Sequence, residues 1–199
     1  SFNWGPTEEI VLVSSENELA EKFGSPDANT AKYFLTAASF LKYGNALKVV
    51  RASSGHLNAT HLGNGQLVKN EDDYDNNHST GISGKGNWVA KYPGVLGNSI
   101  QVSMVTAGVS TSNYNAWTFK GSFAEKPGTS DFAKGLGKTS AADELHVAVV
   151  DRLGAISGTP NTVLETFEFL SQGSDAKKAD GTTNFYKEVI NSQSEWIYW

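Results

Sequence analysis

The sequence predicts an α+β chain, and three observations predict it. Residues 7–52 read as strand, helix, helix, strand. From Trp88 onward, short runs alternate apolar and polar side chains. Glycine is frequent, 20 in 199 residues, while charged residues make up only 19%. That balance suits a strand-rich chain with many turns.

The elements follow in order. "TEEIVLVSS" (7–15) is apolar and β-branched in its middle and predicts a strand. Ser15 and Glu18 then fit a capping box, with Ser15 accepting from the Glu18 N–H and Glu18 reaching back. The short helix they start carries Leu19 and Phe23 and stops at Gly24. A longer helix is expected from about Thr30 to Tyr43. Its Tyr33, Phe34, Ala37, Ala38, Phe40 and Leu41 fall three and four apart on one broad face. "ALKVVRA" (46–52) predicts a buried strand. Residues 53–87 are rich in glycine, asparagine and charge, with little core material, and predict an exposed excursion. "NSIQVSMVTA" (98–107) predicts a strand with Ile100, Val102 and Met104 on one face. "NAWTFKGSF" (115–123) alternates as well and predicts another. Residues 144–171 predict a long hairpin, "FYKEVINSQ" a short helix and "SEWIYW" a final strand.

Composition excludes several function classes. The chain has no cysteine, so disulfides, thiolate metal sites and cysteine nucleophiles are ruled out. A formal net charge of −5 without any Lys/Arg run argues against nucleic acid as a partner. No apolar run is long enough for a membrane-spanning helix. The chain opens in "FNWGP" without a Met and stops inside "EWIYW", which reads as part of a longer chain.

No motif carries chemistry. "GLGKTS" (135–140) looks like a phosphate loop, but Phe132 stands where the first glycine belongs. "DYDNNHS" (73–79) spaces its oxygens like a calcium loop, but His78 and Gly84 replace the required glycine and acid. His56, His61, His78 and His146 form no ligand spacing. "KYPGVLGNSIQV" (91–102) has the glycines of an anion cradle, yet a strand follows them and not a helix. It predicts a chain reversal, with Gly94 and Gly97 supplying positive φ. No catalytic, cofactor-binding or metal-ligating residue is predicted.

"KYPGVLGNSIQV" also resembles a stretch of the contractile tail sheath proteins of myovirus-type bacteriophages and related injection systems. Other segments resemble that family in the same order: "FNWGPTEEIVLVSSENELAEKFGSP", "TAKYFLTAASFLKYGNALKVVRA", "ELHVAVVDRLGAISGTPNTVLETFEFLS" and "DGTTNFYKEVINSQSEWIYW". The resemblance implies a structural subunit of the virion and not an enzyme. Such subunits assemble in the host cytoplasm into a helical sleeve around the tail tube and contract to drive that tube through the host envelope. It further implies three parts: residues 1–53 as the N-terminal half of a discontinuous α/β core domain, 54–87 as an exposed polar insertion, and 88–199 as a β-rich outer domain. With the other half of the core domain lying elsewhere, Phe34, Ala38 and Leu41 are expected to be partly uncovered. Other sheath subunits and the tube would be the partners, with no nucleic acid, membrane span or cofactor. A surface module binding carbohydrate or a receptor is the alternative, since five Trp and seven Tyr would suit sugar stacking.

Overall fold

The computed structural model describes residues 2–199 and shows an α+β chain. It divides into two compact units, residues 1–99 and 100–199.

In the first unit, β1 (Ile10–Val13) leads to α1 (Glu16–Phe23) and α2 (Ala31–Leu41), and β2 (Leu47–Val50) returns. β1 and β2 form a two-stranded antiparallel ribbon running from Ile10↔Val50 at one end to Val13↔Leu47 at the other. Its inner face packs against the helices in a core of Val13, Leu19, Phe23, Phe34, Ala38 and Val49. Phe34 and Ala38, expected to be uncovered, are therefore buried. Ser15 caps α1 as predicted, accepting from the Glu18 N–H at 3.2 Å. Glu18, however, reaches one residue further back than expected. Its Oε2 accepts from the Ser14 N–H at 2.8 Å and the Ser14 hydroxyl at 2.7 Å.

Residues 54–87 are mostly exposed or half-buried, but Asn58, Val68 and Tyr74 are buried. Tyr74 lies on α3 (Glu71–Asn77), a helix the sequence does not announce by periodicity. Asn58 holds the segment together: its Nδ2 donates to the Ala90 carbonyl at 2.9 Å, and its Oδ1 accepts from the Val68 N–H at 2.8 Å. β3 (Val89–Ala90) follows, and then the "YPGVLGN" stretch closes into a 3₁₀ turn, Val95–Ser99. Gly94 has φ of 142°, and a Cβ there would meet the Asn3 carbonyl oxygen. Gly97 does not adopt positive φ. It is small because the Ala59 and Ala90 side chains pack against its Cα.

The second unit is built on a three-stranded antiparallel sheet in the order β4 (Ile100–Thr106), β5 (Glu144–Asp151), β6 (Thr162–Ser171). Central β5 is buried along nearly its whole length. The expected strand at 115–123 is instead a run of turns. α4 (Thr111–Ala116), capped by Ser110, and a 3₁₀ turn at Lys120–Ser122 bracket the aromatic residues. Phe123, with Trp117 and Phe119, covers Ala148 and Val150. Trp117 Nε1 donates to Ser103 Oγ at 2.9 Å, which fixes this cover on β4. Ser103 and Val105 share that face, and Met104, on the opposite one, is exposed.

α5 (Asp131–Gly135) precedes β5, while α6 (Tyr186–Gln193) and β7 (Ile197–Tyr198) end the chain. α6 meets the sheet through Glu165 of β6, which accepts from the Ser194 hydroxyl at 2.7 Å. The β5–β6 connection is held by buried Asp151, whose Oδ2 accepts from the N–H groups of Ile156 (3.0 Å) and Ser157 (2.7 Å) and from the Ser157 hydroxyl (2.8 Å).

Candidate assembly surface

The residues that superficially suggested chemistry are not brought together. Asp73, first in the calcium-like run, sits on α3. Its carboxylate accepts from the Lys69 N–H at 2.9 Å and the Asn77 amide at 2.8 Å, so it serves the helix N-terminus. Burial pushes the Asp73 carboxyl up, but these bonds, with His78 and Lys69 nearby, outweigh it and hold the group below the usual range. "GLGKTS" is an exposed turn at the end of α5. Among the described residues no group of three or more His, Cys, Asp or Glu could hold a metal. A shallow groove of about 520 Å³ lies between Phe132, Glu144, Glu168, Phe169 and Lys178 of the second unit.

Among the described residues His146 is the one buried histidine, and its contacts are with the fold itself. Opposite it, β6 carries an extra residue, a bulge that places Phe169 at φ 52°. His146 Nδ1 accepts from the Phe169 N–H at 3.0 Å, so Nε2 carries the proton and donates to the Glu125 carbonyl at 2.8 Å. The ring stacks on Phe123, with centroids 4.7 Å apart.

The first unit presents a different kind of surface. Apart from Lys48, opposite Leu12 on the outer side, both faces of the ribbon are apolar, but the helices cover only the inner one. On the outer face Ile10 is 66% exposed, Leu12 57% and Val50 58%. On α2, Tyr33, Leu35 and Phe40 are exposed as well, and Tyr43, just beyond its end, is 94% exposed. The periodicity of α2 placed Tyr33, Phe34, Phe40 and Leu41 on one face. The structure splits them, with Phe34 inward and Tyr33 and Phe40 outward. An exposed apolar ribbon face of this kind is a candidate for cover by another element.

Two electrostatic features flank this face. Arg51, at the end of the ribbon, is buried and donates from Nε to the Phe2 carbonyl (3.1 Å) and from Nη1 to the Gly5 carbonyl (2.8 Å). Its Nη2 finds no hydrogen-bond partner among the described residues, and burial pulls the guanidinium down to about 10. At the Ile10 end of the ribbon, Glu9 faces α3. Burial raises its pKa first, and the charges of Asp72 and Glu71 raise it further.

Residues 1–52 match the family model of the N-terminal region of domain III of the tail sheath protein Gp18. The chain is 31% identical over 166 residues to the tail sheath protein of Salmonella phage ViI, an alignment covering 81% of this chain and 23% of that protein. It is 53% identical over 51 residues to the tail sheath protein of Enterobacteria phage T4, covering 26% of this chain and 8% of that protein. With the tail sheath protein of Vibrio phage KVP40 it shares 52% identity over 50 residues, 25% of this chain and 8% of that protein. The matched region thus spans less than a quarter of the length of these relatives. The resemblance carried by the sequence and these matches agree: the chain is a relative of the contractile-phage tail sheath proteins and corresponds to a part of them.

Proposed function

We propose that this chain is part of the structural subunit of a contractile phage tail sheath. The complete subunit polymerises around the tail tube, and its contraction drives the tube through the host envelope. It works as a virion component assembled in the host cytoplasm, without enzymatic activity or cofactor, and its partners are further sheath subunits and the tube. Contraction in this reading is a change between two packings of the same subunits.

The observation that carries the proposal is the open outer face of the β1–β2 ribbon. A two-stranded ribbon is marginal by itself, and this one leaves Ile10, Leu12 and Val50 to solvent. Covering each such side chain is worth about 1.5–3 kcal/mol. Residues 1–53 are then the N-terminal half of a discontinuous core domain, and the half that completes it lies on that face. The family match to an N-terminal region of domain III supports this division. Residues 54–87 form a polar insertion on the core domain, and 88–199 a β-rich outer domain. Electron microscopy of the complete subunit tests the proposal. Long hollow cylinders, or sleeves on tubes, are expected. Dispersed particles under all assembly conditions would overturn it.

A further inference from the structure

The sequence holds a single Asn-Gly dipeptide, Asn64–Gly65. Asparagine before glycine cyclises spontaneously more readily than before other residues, because glycine has no side chain to shield its amide nitrogen. The fold explains why the pair is present. Both residues sit at positive φ, 62° and 44°, which asparagine and glycine tolerate best. A Cβ at residue 65 would come 2.8 Å from the Leu57 Cβ, so the turn needs glycine there. Asn64 is exposed, and the Gly65 N–H has no hydrogen-bond acceptor among the described residues. The comparable pair Asp180–Gly181 is tied down on both sides. There the Gly181 N–H donates to the Lys178 carbonyl at 2.9 Å, and the Asp180 carboxylate accepts from the Thr182 N–H and hydroxyl.

An asparagine at this φ occupies the left-handed basin, where ψ is about 30–60°. That ψ turns the Gly65 nitrogen away from the Asn64 Cβ across the Cα–C bond, so the five-membered ring cannot close. Closure needs ψ to rotate by nearly half a turn. One side chain opposes that rotation. Lys85 Nζ donates to the Asn64 carbonyl at 2.9 Å, the oxygen that must swing as ψ changes. Lys85 is anchored in turn, its carbonyl accepting from the Leu62 N–H at 3.0 Å and its N–H donating to the Ile82 carbonyl at 3.2 Å.

We propose that Asn64–Gly65 is a self-modification site held shut by Lys85. When the Lys85 contact opens, the Gly65 nitrogen gives its proton to solvent and bonds to the Asn64 Cγ. The Cγ–Nδ2 bond breaks, and that nitrogen takes a proton from water and leaves as ammonia. Water then adds to one of the two ring carbonyls, leaving aspartate or isoaspartate at position 64. Nothing is oxidised or reduced, and no enzyme takes part. The product places a new carboxylate beside Lys85 Nζ. Isoaspartate also lengthens the main chain by one carbon just before Gln66, which pairs with Asn58. Asn58 is the buried residue that binds Val68 and Ala90, so a change at an exposed turn reaches a buried polar group. This inference is independent of the sheath reading.

The test incubates the protein in mildly alkaline buffer and follows position 64 by peptide mass spectrometry, with an isoaspartate-specific methylation assay alongside. An unfolded peptide of residues 60–68 is the reference. Position 64 should convert before any other asparagine of the protein, yet about tenfold or more slowly than in the peptide. Lys85→Ala should speed conversion about threefold or more, the worth of one exposed charged hydrogen bond. Lys85→Arg, which keeps a donor there, should stay near the wild-type rate. Asn98 and Asn191, each followed by serine, report general loosening and should convert at unchanged rates in all variants. A wild-type rate equal to the peptide's would show that the site is not held shut. A Lys85→Ala rate equal to wild type, or one matched by faster conversion at Asn98 and Asn191, would overturn the role of Lys85. No conversion at position 64 in any variant would overturn the site itself.

Discussion

Two side chains of the second unit show how much can depend on one polar group. His146 satisfies a strained bulge amide on one side and the Glu125 carbonyl on the other. His146→Ala would leave both groups buried without partners and remove the stack on Phe123. The expected loss is about 2–4 kcal/mol, read from the midpoint of urea unfolding. A loss under about 0.5 kcal/mol, the range of an ordinary surface substitution, would show that the bulge does not need the ring. Asp143 offers a pH test. Burial pushes its carboxyl up, but the Ser171 hydroxyl and the Ser130 N–H donate to it and win, so its pKa lies below the usual value. A carboxylate lowered on folding stabilises fully above its unfolded pKa, about 3.9, and that contribution is lost as pH falls through the folded value. Wild type should therefore lose stability on acidification below about pH 4, and Asp143→Asn should show a shallower acid limb. Equal limbs for the two proteins would refute the assignment.

At the scale of elements, the sequence was readable where one signal dominated. The α1 cap, the α2 span and the β5–β6 hairpin follow from a cap box, a helical repeat and two β-branched runs. The failures are equally physical. Residues 115–123 place aromatic residues at alternate positions, yet each covers the sheet from a turn, because Trp117 is held by Ser103 and Phe123 by the His146 stack. α3 has a single buried apolar residue, Tyr74, so periodicity cannot reveal it. The available signal was its cap: Asn70 Oδ1 accepts from the Asp73 N–H at 2.9 Å, and Asp73 returns to the Lys69 N–H. Of the candidate surface, the apolar character of both ribbon faces was legible in "IVLV" and "LKVV". Which stripe of α2 stays open was not, since that depends on where α1 packs. The segment before α3 supplies a prediction at this scale. Asn58→Ala should cost about 2–3 kcal/mol, through the lost bonds to Val68 and Ala90. It should also speed amide exchange at Val68 and Ala90 more than elsewhere in the first unit. A change confined to residue 58 would show that the segment does not depend on this side chain.

For the whole molecule, the two units differ in how completely they are covered. β5 is buried along its length between two neighbouring strands, whereas the β1–β2 ribbon has one open face. Hydrogen exchange should be slowest in Glu144–Asp151 and distinctly faster in Ile10–Val13 and Leu47–Val50. Ribbon amides protected as well as those of β5 would contradict the idea of an incompletely covered half. The Asp151 cluster bears on a different property, the fate of the chain among proteases. An exposed ten-residue connection is ordinarily where cleavage begins, because a protease needs an extended stretch of backbone in its cleft. Arg152 is exposed and would be a tryptic target. The connection beyond it is tied through Ile156 and Ser157 to the buried Asp151 carboxylate. To unfold locally, it must strip that charge of its donors. Trypsin should therefore cut after Arg152 more slowly in the wild type than in Asp151→Asn, and equal rates would show that the Asp151 bonds do not protect the connection.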